Sequence, residues 1–379
     1  MNKIKLPTGY LFTDHYISGE LETLSIGDYG KEINVKADFL GYNKEINGVP
    51  NGICKPLSEK WVITLSTQYG CSMNCSFCDV PKIKYNGNVV FDDLKKQFIS
   101  AISCFPNQAY CERLNIHFAR MGEPIFNDDV FTFSEWLYKN KNSLIKETGL
   151  RIEVIHPVLT TSCPKYKKLA EKLYKWCEIK NNIYNGQAGL QLSINSTNEK
   201  QRDDMFNKKQ ISLNDLSEIC KNLPEPISRK YCLNFAYASN FEIDGKLLSN
   251  LFNPDKFMCK ITPIHNNMSC TQNGISTING YKSYSAYIKP EEELKKYGFD
   301  VLIFVPSLDE ENGLVTCGNA VLSGSKLKGF NRTLEIRGMS DCIQQPLSGS
   351  DDKSSYPNPT SRTSDKLNRC TKFQHRSRK

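Results

Sequence analysis

The sequence predicts an α/β fold, a partial (β/α)6 barrel of the TIM type with a small N-terminal β extension. Short apolar runs alternate with amphipathic stretches along the chain, and six strand–helix pairs follow one another. Such alternation is typical of a parallel sheet. Right-handed crossovers would curl that sheet into a partial or full barrel. With 379 residues, 39% of them hydrophobic, the chain can bury a full core without disulfide or metal staples.

Each predicted strand is a short apolar run, and a helix-like stretch follows it. The strands are Trp61–Ser66, Leu114–Phe118, Ile152–Leu159, Gly189–Ile194, Tyr231–Tyr237 and Phe257–Ile264, and a further element is Asp300–Val305. The helices are Asp92–Ser103, Asp129–Lys139, Pro164–Cys177, Leu213–Leu223, Asp244–Phe252 and Pro290–Tyr297. Asp92 and Asp93 suit a helix N-terminus, and Pro164 suits a first helical turn. Because such folds bind ligands at the carboxyl ends of their strands, we expect functional residues in the loops that follow the strands.

The chain divides into four predicted parts. We expect residues 1–58 to form the β extension and residues 59–320 to form the barrel core with a catalytic C-terminal loop. Residues 321–346 are expected to form a C-terminal extension. Residues 347–379 carry eight Lys or Arg against three Asp, and therefore +5 of the formal net charge of +8. Since this tail is rich in Ser, Pro and Asn, we expect it to be disordered. A basic disordered tail can bind a polyanion such as RNA, or it can be a solvated terminus without such a role.

Composition also predicts the compartment. The sequence has no run of about 18 apolar residues, so we expect no membrane-spanning helix. The first residues, MNKIKLPTGYLF, lack the apolar core of a secretory signal, and we expect a cytoplasmic protein without membrane contact. Fifteen cysteines are many for such a chain. In a reducing compartment scattered cysteines are mostly buried thiols, whereas clustered cysteines are metal ligands or catalysts.

Three cysteines are clustered after the first predicted strand of the core. Cys71, Cys75 and Cys78 form the pattern Cys-x3-Cys-x2-Cys. Thiolates suit iron–sulfur clusters, and three of them leave one iron of a [4Fe–4S] cluster open. That iron can chelate the amine and carboxylate of S-adenosylmethionine (SAM), and reduction of the cluster can then break the sulfonium C–S bond to give a 5′-deoxyadenosyl radical. The alternative, a zinc site, needs a second Cys-x2-Cys pair nearby, and none follows.

Several stretches of the chain occur in the same order as the motifs of a known family. They are Leu65–Cys71, Ala119–Asn127, Leu159–Pro164, Leu192–Arg202, Ile261–His265 and Val315–Asn319. The second contains a Gly-Glu-Pro motif and the last a Cys-Gly pair. Over about residues 60–320 the chain resembles the radical SAM superfamily, and most closely the 23S rRNA adenine methyltransferases of the RlmN/Cfr type. The resemblance implies a radical SAM barrel, an RNA substrate such as rRNA or tRNA, and an electron donor such as flavodoxin or ferredoxin.

The resemblance also implies a set of SAM-binding residues at the strand ends. Gly122 permits close approach of the backbone, and Glu123 offers an acceptor for the ammonium group of the cofactor. Four polar residues can bond its carboxylate and ribose, and a histidine takes the place of a family asparagine. These residues are Thr160, Ser162, Ser193, Asn195 and His265. Taken singly, each of these residues is more typical of a turn, a cap or a satisfied polar side chain.

A catalytic cysteine is implied in the loop Pro306–Gly318. The family carries a methyl group on a cysteine near its C-terminus, and Cys317 matches that cysteine; the alternative is a small buried thiol beside a glycine turn. The family's partner cysteine lies seven residues before the first cluster cysteine, where this chain has Thr64. Because a threonine cannot form the disulfide that releases a cysteine–substrate adduct, Cys54 or Cys163 would have to replace it.

The sequence leaves three functions open. The first is radical SAM methylation of an RNA base. The second is radical SAM chemistry of another kind on a small molecule, nucleotide or peptide. This alternative stays open because the sequence shows neither the family's partner cysteine nor the pattern of its N-terminal helical RNA-binding module. The third is a protein that binds the cluster without turnover.

Overall fold

The computed structural model describes residues 1–30, 34–44, 54–277, 284–316 and 318–327. The chain begins with an antiparallel sheet of β1 (Asn2–Leu6), β2 (Gly9–Tyr16) and β3 (Gly19–Tyr29). Two short strands follow, β4 (Val35–Lys36) and β5 (Cys54–Lys55). These strands occur where the sequence predicts the N-terminal β extension.

Seven parallel strands continue the sheet, and each pairs with the next along the chain. They are β6 (Lys60–Thr64), β7 (Tyr110–Phe118), β8 (Arg151–Thr161), β9 (Gly189–Ser193), β10 (Tyr231–Tyr237), β11 (Phe257–Pro263) and β12 (Val301–Phe304). The first six occur at the predicted strands, and the seventh occurs at the predicted further element. The α/β class with successive parallel strands is confirmed.

Helices lie between the parallel strands, and one further helix follows the last of these strands. They are α1 (Phe91–Ser103), α2 (Asp128–Lys139), α3 (Lys141–Thr148), α4 (Leu169–Glu178), α5 (Glu199–Met205), α6 (Leu213–Lys221), α7 (Gly245–Leu251), α8 (Met268–Gln272), α9 (Ile288–Lys296) and α10 (Leu308–Asn312). Side chains of Asn127, Ser212 and Asp244 cap α2, α6 and α7, as expected of these residue types at helix starts. None of the helices in the described ranges is long and apolar enough to cross a membrane.

One predicted helix begins in a different place, and four helices were not predicted. The sequence predicts a helix from Pro164, but α4 begins five residues later at Leu169. The helix does not begin at Pro164 because Cys163 is left-handed, with φ of +54°, and Pro164 pairs with Gln210 in an antiparallel bridge. The unpredicted helices are α3, α5, α8 and α10, of which α10 falls in the stretch predicted as a loop.

The strands lie in the order β1-β2-β3-β6-β7-β8-β9-β10-β11-β12-β4. In the described ranges the two ends of this order do not pair with each other, so the barrel is partial. Side chains alternate along β11: the apolar Cys259 and Ile261 are buried in the hydrophobic core, whereas Lys260 and Thr262 line the cavity inside the barrel. The predicted basic tail, residues 347–379, lies outside the described residues.

Candidate active site

The predicted site residues meet at one cavity of about 280 Å³ at the carboxyl ends of the parallel strands. Cys317 itself lies outside the described residues, but both of its neighbours, Thr316 and Gly318, line this cavity. The other predicted residues that line it are Cys71, Cys75, Cys78, Gly122, Glu123, Thr160, Ser162, Ser193, Asn195 and His265.

The cysteine loop follows β6 and is half-buried at the cavity wall. The backbone N–H of Met73 donates to the sulfur of Cys71 at 3.5 Å. In the described ranges no three His, Cys, Asp or Glu side chains lie close enough to hold a single metal ion. A cubane cluster binds its cysteines at three different irons and therefore holds them further apart than a single ion does.

Gly122 connects the Gly-Glu-Pro turn to the cysteine loop. Its φ is +99°, and a Cβ at this position would lie 2.5 Å from the Cβ of Gln68, so only glycine fits. The side-chain oxygen of Gln68 accepts from the backbone N–H of Glu123 at 3.0 Å and of Ser72 at 3.3 Å. One amide thus fixes the turn and the cysteine loop to each other.

Glu123 is buried at the end of this turn, 4% exposed. Its Oε2 accepts from the backbone N–H of Ser162 at 2.7 Å and from the Ser162 hydroxyl at 2.6 Å, and its Oε1 accepts from the N–H of Ile125 at 3.1 Å. Burial raises the pKa of the Glu123 carboxyl despite these bonds. An ammonium group from a ligand in the cavity would offset the cost of burying the charged carboxylate. The carboxylate therefore suits a cationic ligand group as well as capping the turn.

The remaining predicted residues hold neighbouring elements together. Thr160 Oγ1 donates to the side chain of Gln191 at 3.4 Å, which joins the ends of β8 and β9. Asn195 is left-handed, with φ of +63°, and its Oδ1 accepts from the backbone N–H of Ala236 at 2.9 Å. His265 Nδ1 lies 2.9 Å from Glu311 Oε2, and both side chains are buried. Each residue therefore borders the cavity while also having a structural partner.

Sequence reasoning missed a set of inward-facing residues on the strands themselves. These additional cavity-lining side chains are His117, Gln191, Asn234, Lys260 and Thr262. The Oδ1 of Asn234 and the Oγ1 of Thr262 are buried, and neither has a hydrogen-bond partner among the described residues. Buried polar atoms are normally satisfied, so these two atoms fit a polar ligand in the cavity. The signal was the alternation of polar and apolar residues within β10 and β11.

A buried ion pair attaches the C-terminal segment to the site. The guanidinium of Arg120, which also lines the cavity, donates to Glu22 Oε2 from Nη2 at 2.6 Å and from Nε at 3.0 Å. Its Nη1 donates to the carbonyl of Leu314 at 2.6 Å. The other oxygen of Glu22 accepts from the backbone N–H of Leu322 at 2.5 Å. The N-terminal sheet thus holds the chain on both sides of position 317.

The residue after the last cluster cysteine makes a second attachment. The N–H of Asp79 donates to the carbonyl of Gly318 at 2.8 Å, and its Oδ2 accepts from the hydroxyl of Ser325 at 2.8 Å. The amide of Asn267 donates to the carbonyls of Phe77 at 2.8 Å and Gly318 at 3.0 Å. The residue that follows Cys317 is therefore fixed against the cysteine loop.

The residues considered for the second cysteine role lie elsewhere. Thr64 ends β6 and is not one of the residues lining the cavity. Cys163 is fully buried, does not line the cavity, and has a pKa raised well above the ordinary value by that burial. The side chain of Cys54 lies outside the described residues.

Comparison with known proteins gives relatives of one kind. The chain is 32% identical over 117 residues to the dual-specificity RNA methyltransferase RlmN of Aliarcobacter butzleri, covering 30% of this chain and 31% of that protein. It is 23% identical over 218 residues to a probable RlmN of Prochlorococcus marinus, covering 56% and 57%. The chain thus spans between about a third and just over half of the length of these relatives. No family model matches the chain.

A solved structure shows the same fold. A crystal structure of a radical SAM methyltransferase from Sphaerobacter thermophilus superposes with a TM-score of 0.51 at 13% identity, covering 80% of this chain and 75% of that one. At this identity the likeness shows the fold alone. Together with the sequence relatives, it confirms the resemblance to RlmN-type radical SAM proteins that the ordered motifs indicate.

Proposed function

We propose that this relative of the RlmN-type proteins is a radical SAM enzyme that methylates an RNA base and uses Cys317 as its methyl carrier. One observation carries the proposal. A single cavity brings together the three clustered cysteines, the Gly122-Glu123 turn and both neighbours of Cys317. These groups are far apart in the sequence, and the named relatives are RNA methyltransferases.

Cys71, Cys75 and Cys78 would hold a [4Fe–4S] cluster, and SAM would fill the cavity beside it. When bound, these cofactors supply reductive cleavage of a C–S bond, with an electron from a donor such as flavodoxin or ferredoxin. Glu123 accepts a bond from the ammonium group of SAM. Asn234 Oδ1 and Thr262 Oγ1, which have no hydrogen-bond partner among the described residues, would bond other polar groups of SAM.

Cys317 has the role of methyl acceptor. Its thiolate sulfur would take the methyl group of SAM, whose sulfonium sulfur would be the leaving group, so that S-adenosylhomocysteine would remain. The thiolate, not the thiol, is the nucleophile in such a step. The attachments of Leu314, Gly318 and Leu322 hold the loop in place for this reaction.

Release of product needs a second thiol, and neither Thr64 nor Cys163 suits that role. Thr64 stands at the position of the family's second cysteine, and a hydroxyl cannot form a disulfide. Burial raises the pKa of Cys163, so this thiol is a poor substitute. This departure favours a second candidate function, radical SAM chemistry of another kind, in which Cys317 is not methylated.

The test is the methylation state of Cys317. Protein expressed with an intact cluster is digested, and the Cys317 peptide is analysed by mass spectrometry. We expect a mass gain of one methyl group, absent in Cys317→Ala and in the triple variant Cys71→Ala, Cys75→Ala, Cys78→Ala. The peptide that contains Cys270 is the internal control and should stay unmodified. Cofactor cleavage without any methyl on Cys317 would establish the second candidate instead.

A further inference from the structure

Two loops at the mouth of the cavity are joined to each other. The first, residues 163–168, follows β8, and the second, residues 206–211, follows α5. The N–H of Lys165 donates to the carbonyl of Lys209 at 2.7 Å, and the N–H of Ile211 donates to the carbonyl of Cys163 at 3.0 Å. Backbone pairing therefore gives the two loops a fixed arrangement.

These loops carry a concentrated positive charge. Between them they contain five lysines and no acidic residue, and all five lysines are exposed. None of them forms an ion pair with a carboxylate in the part of the chain that the structure describes. We call this set the lysine ridge; it comprises Lys165, Lys167, Lys168, Lys208 and Lys209.

The lysine ridge is continuous with the cavity wall. Two cavity-lining residues adjoin the loops: Ser162 directly precedes the first loop, and Phe206 is the first residue of the second. The ammonium group of Lys209 donates to the carbonyl of Ser72 in the cysteine loop at 2.6 Å. Lys208 is held left-handed, with φ of +58°, an uncommon conformation for a side-chain-bearing residue. A polyanion that follows the ridge would thus pass the opening of the cavity.

An aromatic side chain lies within the ridge. Tyr166, between Lys165 and Lys167, packs its ring against Phe126 with 5.1 Å between ring centroids and stays partly exposed. Cationic grooves with aromatic rings are typical of single-strand binding, since the lysines contact phosphates and a ring can stack on a base. A base inside a duplex cannot reach a closed pocket unless it leaves the stack.

We propose that the lysine ridge binds the phosphate backbone of single-stranded RNA and leads a target base into the cavity. The inference rests on the proposed function for the fate of that base. The binding surface itself follows from the charge of the five lysines and from their place beside the cavity.

The test compares two sets of four substitutions. The ridge variant carries Lys165→Gln, Lys167→Gln, Lys168→Gln and Lys208→Gln, and retains Lys209 because it supports the cysteine loop. The control variant removes four exposed lysines on the helices, with the substitutions Lys139→Gln, Lys146→Gln, Lys221→Gln and Lys246→Gln. Both lose the same charge, and both should melt at the temperature of the wild type.

Affinity for a short fluorescent single-stranded RNA is then measured over a range of salt concentrations. We expect the ridge variant to bind at least about tenfold more weakly than the control, with a salt slope shallower by about 0.7 for each phosphate that the variant no longer neutralises. Equal affinity and slope in the two variants would overturn the proposal, and so would a wild type that does not bind the RNA.

Reductive cleavage of SAM without RNA is measured in the same three proteins. If all three cleave SAM but none binds RNA, the ridge proposal fails while the radical SAM function stands. If none cleaves SAM but only the ridge variant loses RNA affinity, the proposed function fails while the binding surface stands.

Discussion

The proposed function gives the Glu123 carboxylate two roles. Its bonds to Ser162 and Ile125 stabilise the turn that closes β7, and its burial in the cavity wall prepares it for a cationic partner. Burying a carboxylate is costly unless it is paired, and burial raises the pKa of this one. A bound ammonium group would therefore interact more strongly with this carboxylate, because the protein keeps the carboxylate away from water.

We predict that Glu123→Gln weakens SAM binding at least about tenfold, because a bond to a charged acceptor contributes roughly 1.5–3 kcal/mol. Glutamine keeps the shape of the side chain but offers one acceptor oxygen where Glu123 uses two, so the melting temperature should also fall, and the affinities are compared well below it. Calorimetric titration of the reconstituted protein with SAM measures the affinity.

The matched control is Glu218→Gln, an exposed glutamate on α6 with a side chain 70% accessible. It should bind SAM as the wild type does. If Glu123→Gln and Glu218→Gln bind equally well, Glu123 serves the turn alone.

The sequence could predict that Gly122 and Glu123 lie at the cavity, because the short Gly-Glu-Pro motif combines a glycine that permits a tight turn with a carboxylate beside it. His117, Asn234 and Thr262 could not, because single polar residues at alternating strand positions look the same in a solvated sheet and in a barrel interior. The structure distinguishes the two cases, since these side chains line the cavity. Burial and nearby cations such as Lys260 lower the pKa of His117 to about 3, so its ring is neutral at pH 7.

At the scale of elements, three separate segments meet at one ion pair. Arg120 lies in the loop after β7, Glu22 lies on β3, and both contact the C-terminal segment through Leu314 and Leu322. Arg120 and Glu22 are 98 residues apart, and no local pattern could have paired them. The N-terminal strands therefore position the loop that carries Cys317.

We predict that Glu22→Ala destabilises the fold by about 3–5 kcal/mol, because it leaves a buried guanidinium without its carboxylate. The C-terminal segment should become more sensitive to limited proteolysis than the rest of the chain. Denaturant unfolding measures the first effect, and mass analysis of early fragments measures the second.

The control is Glu59→Ala, which breaks the exposed pair between Lys55 and Glu59 and should cost less than about 1 kcal/mol. Equal costs for the two substitutions, or early cleavage away from the C-terminal segment, would contradict the attachment through Glu22.

The short helix α10, in the same C-terminal segment, makes the stability of the fold depend on pH. Its capping box joins Ser307 and Glu310, and burial raises the pKa of Glu310 to about 7. In the unfolded chain the pKa of this carboxyl is close to 4.5. Between these values the unfolded state is ionised while the folded state still holds its proton. Ionisation therefore favours unfolding, and stability from this group falls as pH rises through this range.

We predict that Glu310→Gln removes this dependence, since glutamine can keep the capping-box acceptor without titrating. The melting temperature of the wild type should fall relative to that of Glu310→Gln between about pH 5 and pH 8. Parallel curves for the two proteins would show that Glu310 does not titrate in this range.

At the scale of elements the sequence predicted the parallel strands well and the connections less well. The strands at Trp61 and Phe257 are short apolar runs, and their length rather than their periodicity distinguishes them from buried helices. The helix expected at Pro164 was misplaced because a pairing with Gln210 is an interaction between distant loops. The capping box at Ser307 is visible in the sequence as a serine followed three residues later by a glutamate, and it could have indicated α10.

For the whole molecule, the parallel order of β6 to β12 explains why distant motifs share one site. The carboxyl ends of parallel strands lie on the same side of a sheet, so the loops after them converge. The cysteine loop follows β6, the Gly-Glu-Pro turn follows β7, and the segment of Cys317 follows β12. A partial barrel brings these three positions around one cavity.

The central claim is that three cysteines hold a cluster that cleaves SAM. The most direct measurement is anaerobic reconstitution with iron and sulfide, followed by addition of SAM and dithionite and quantification of bound iron and 5′-deoxyadenosine. The wild type and a control with Cys104→Ala and Cys232→Ala should bind about four irons and form 5′-deoxyadenosine. The triple variant Cys71→Ala, Cys75→Ala, Cys78→Ala should do neither. Iron–sulfur absorbance or 5′-deoxyadenosine formation retained in the triple variant would contradict the claim.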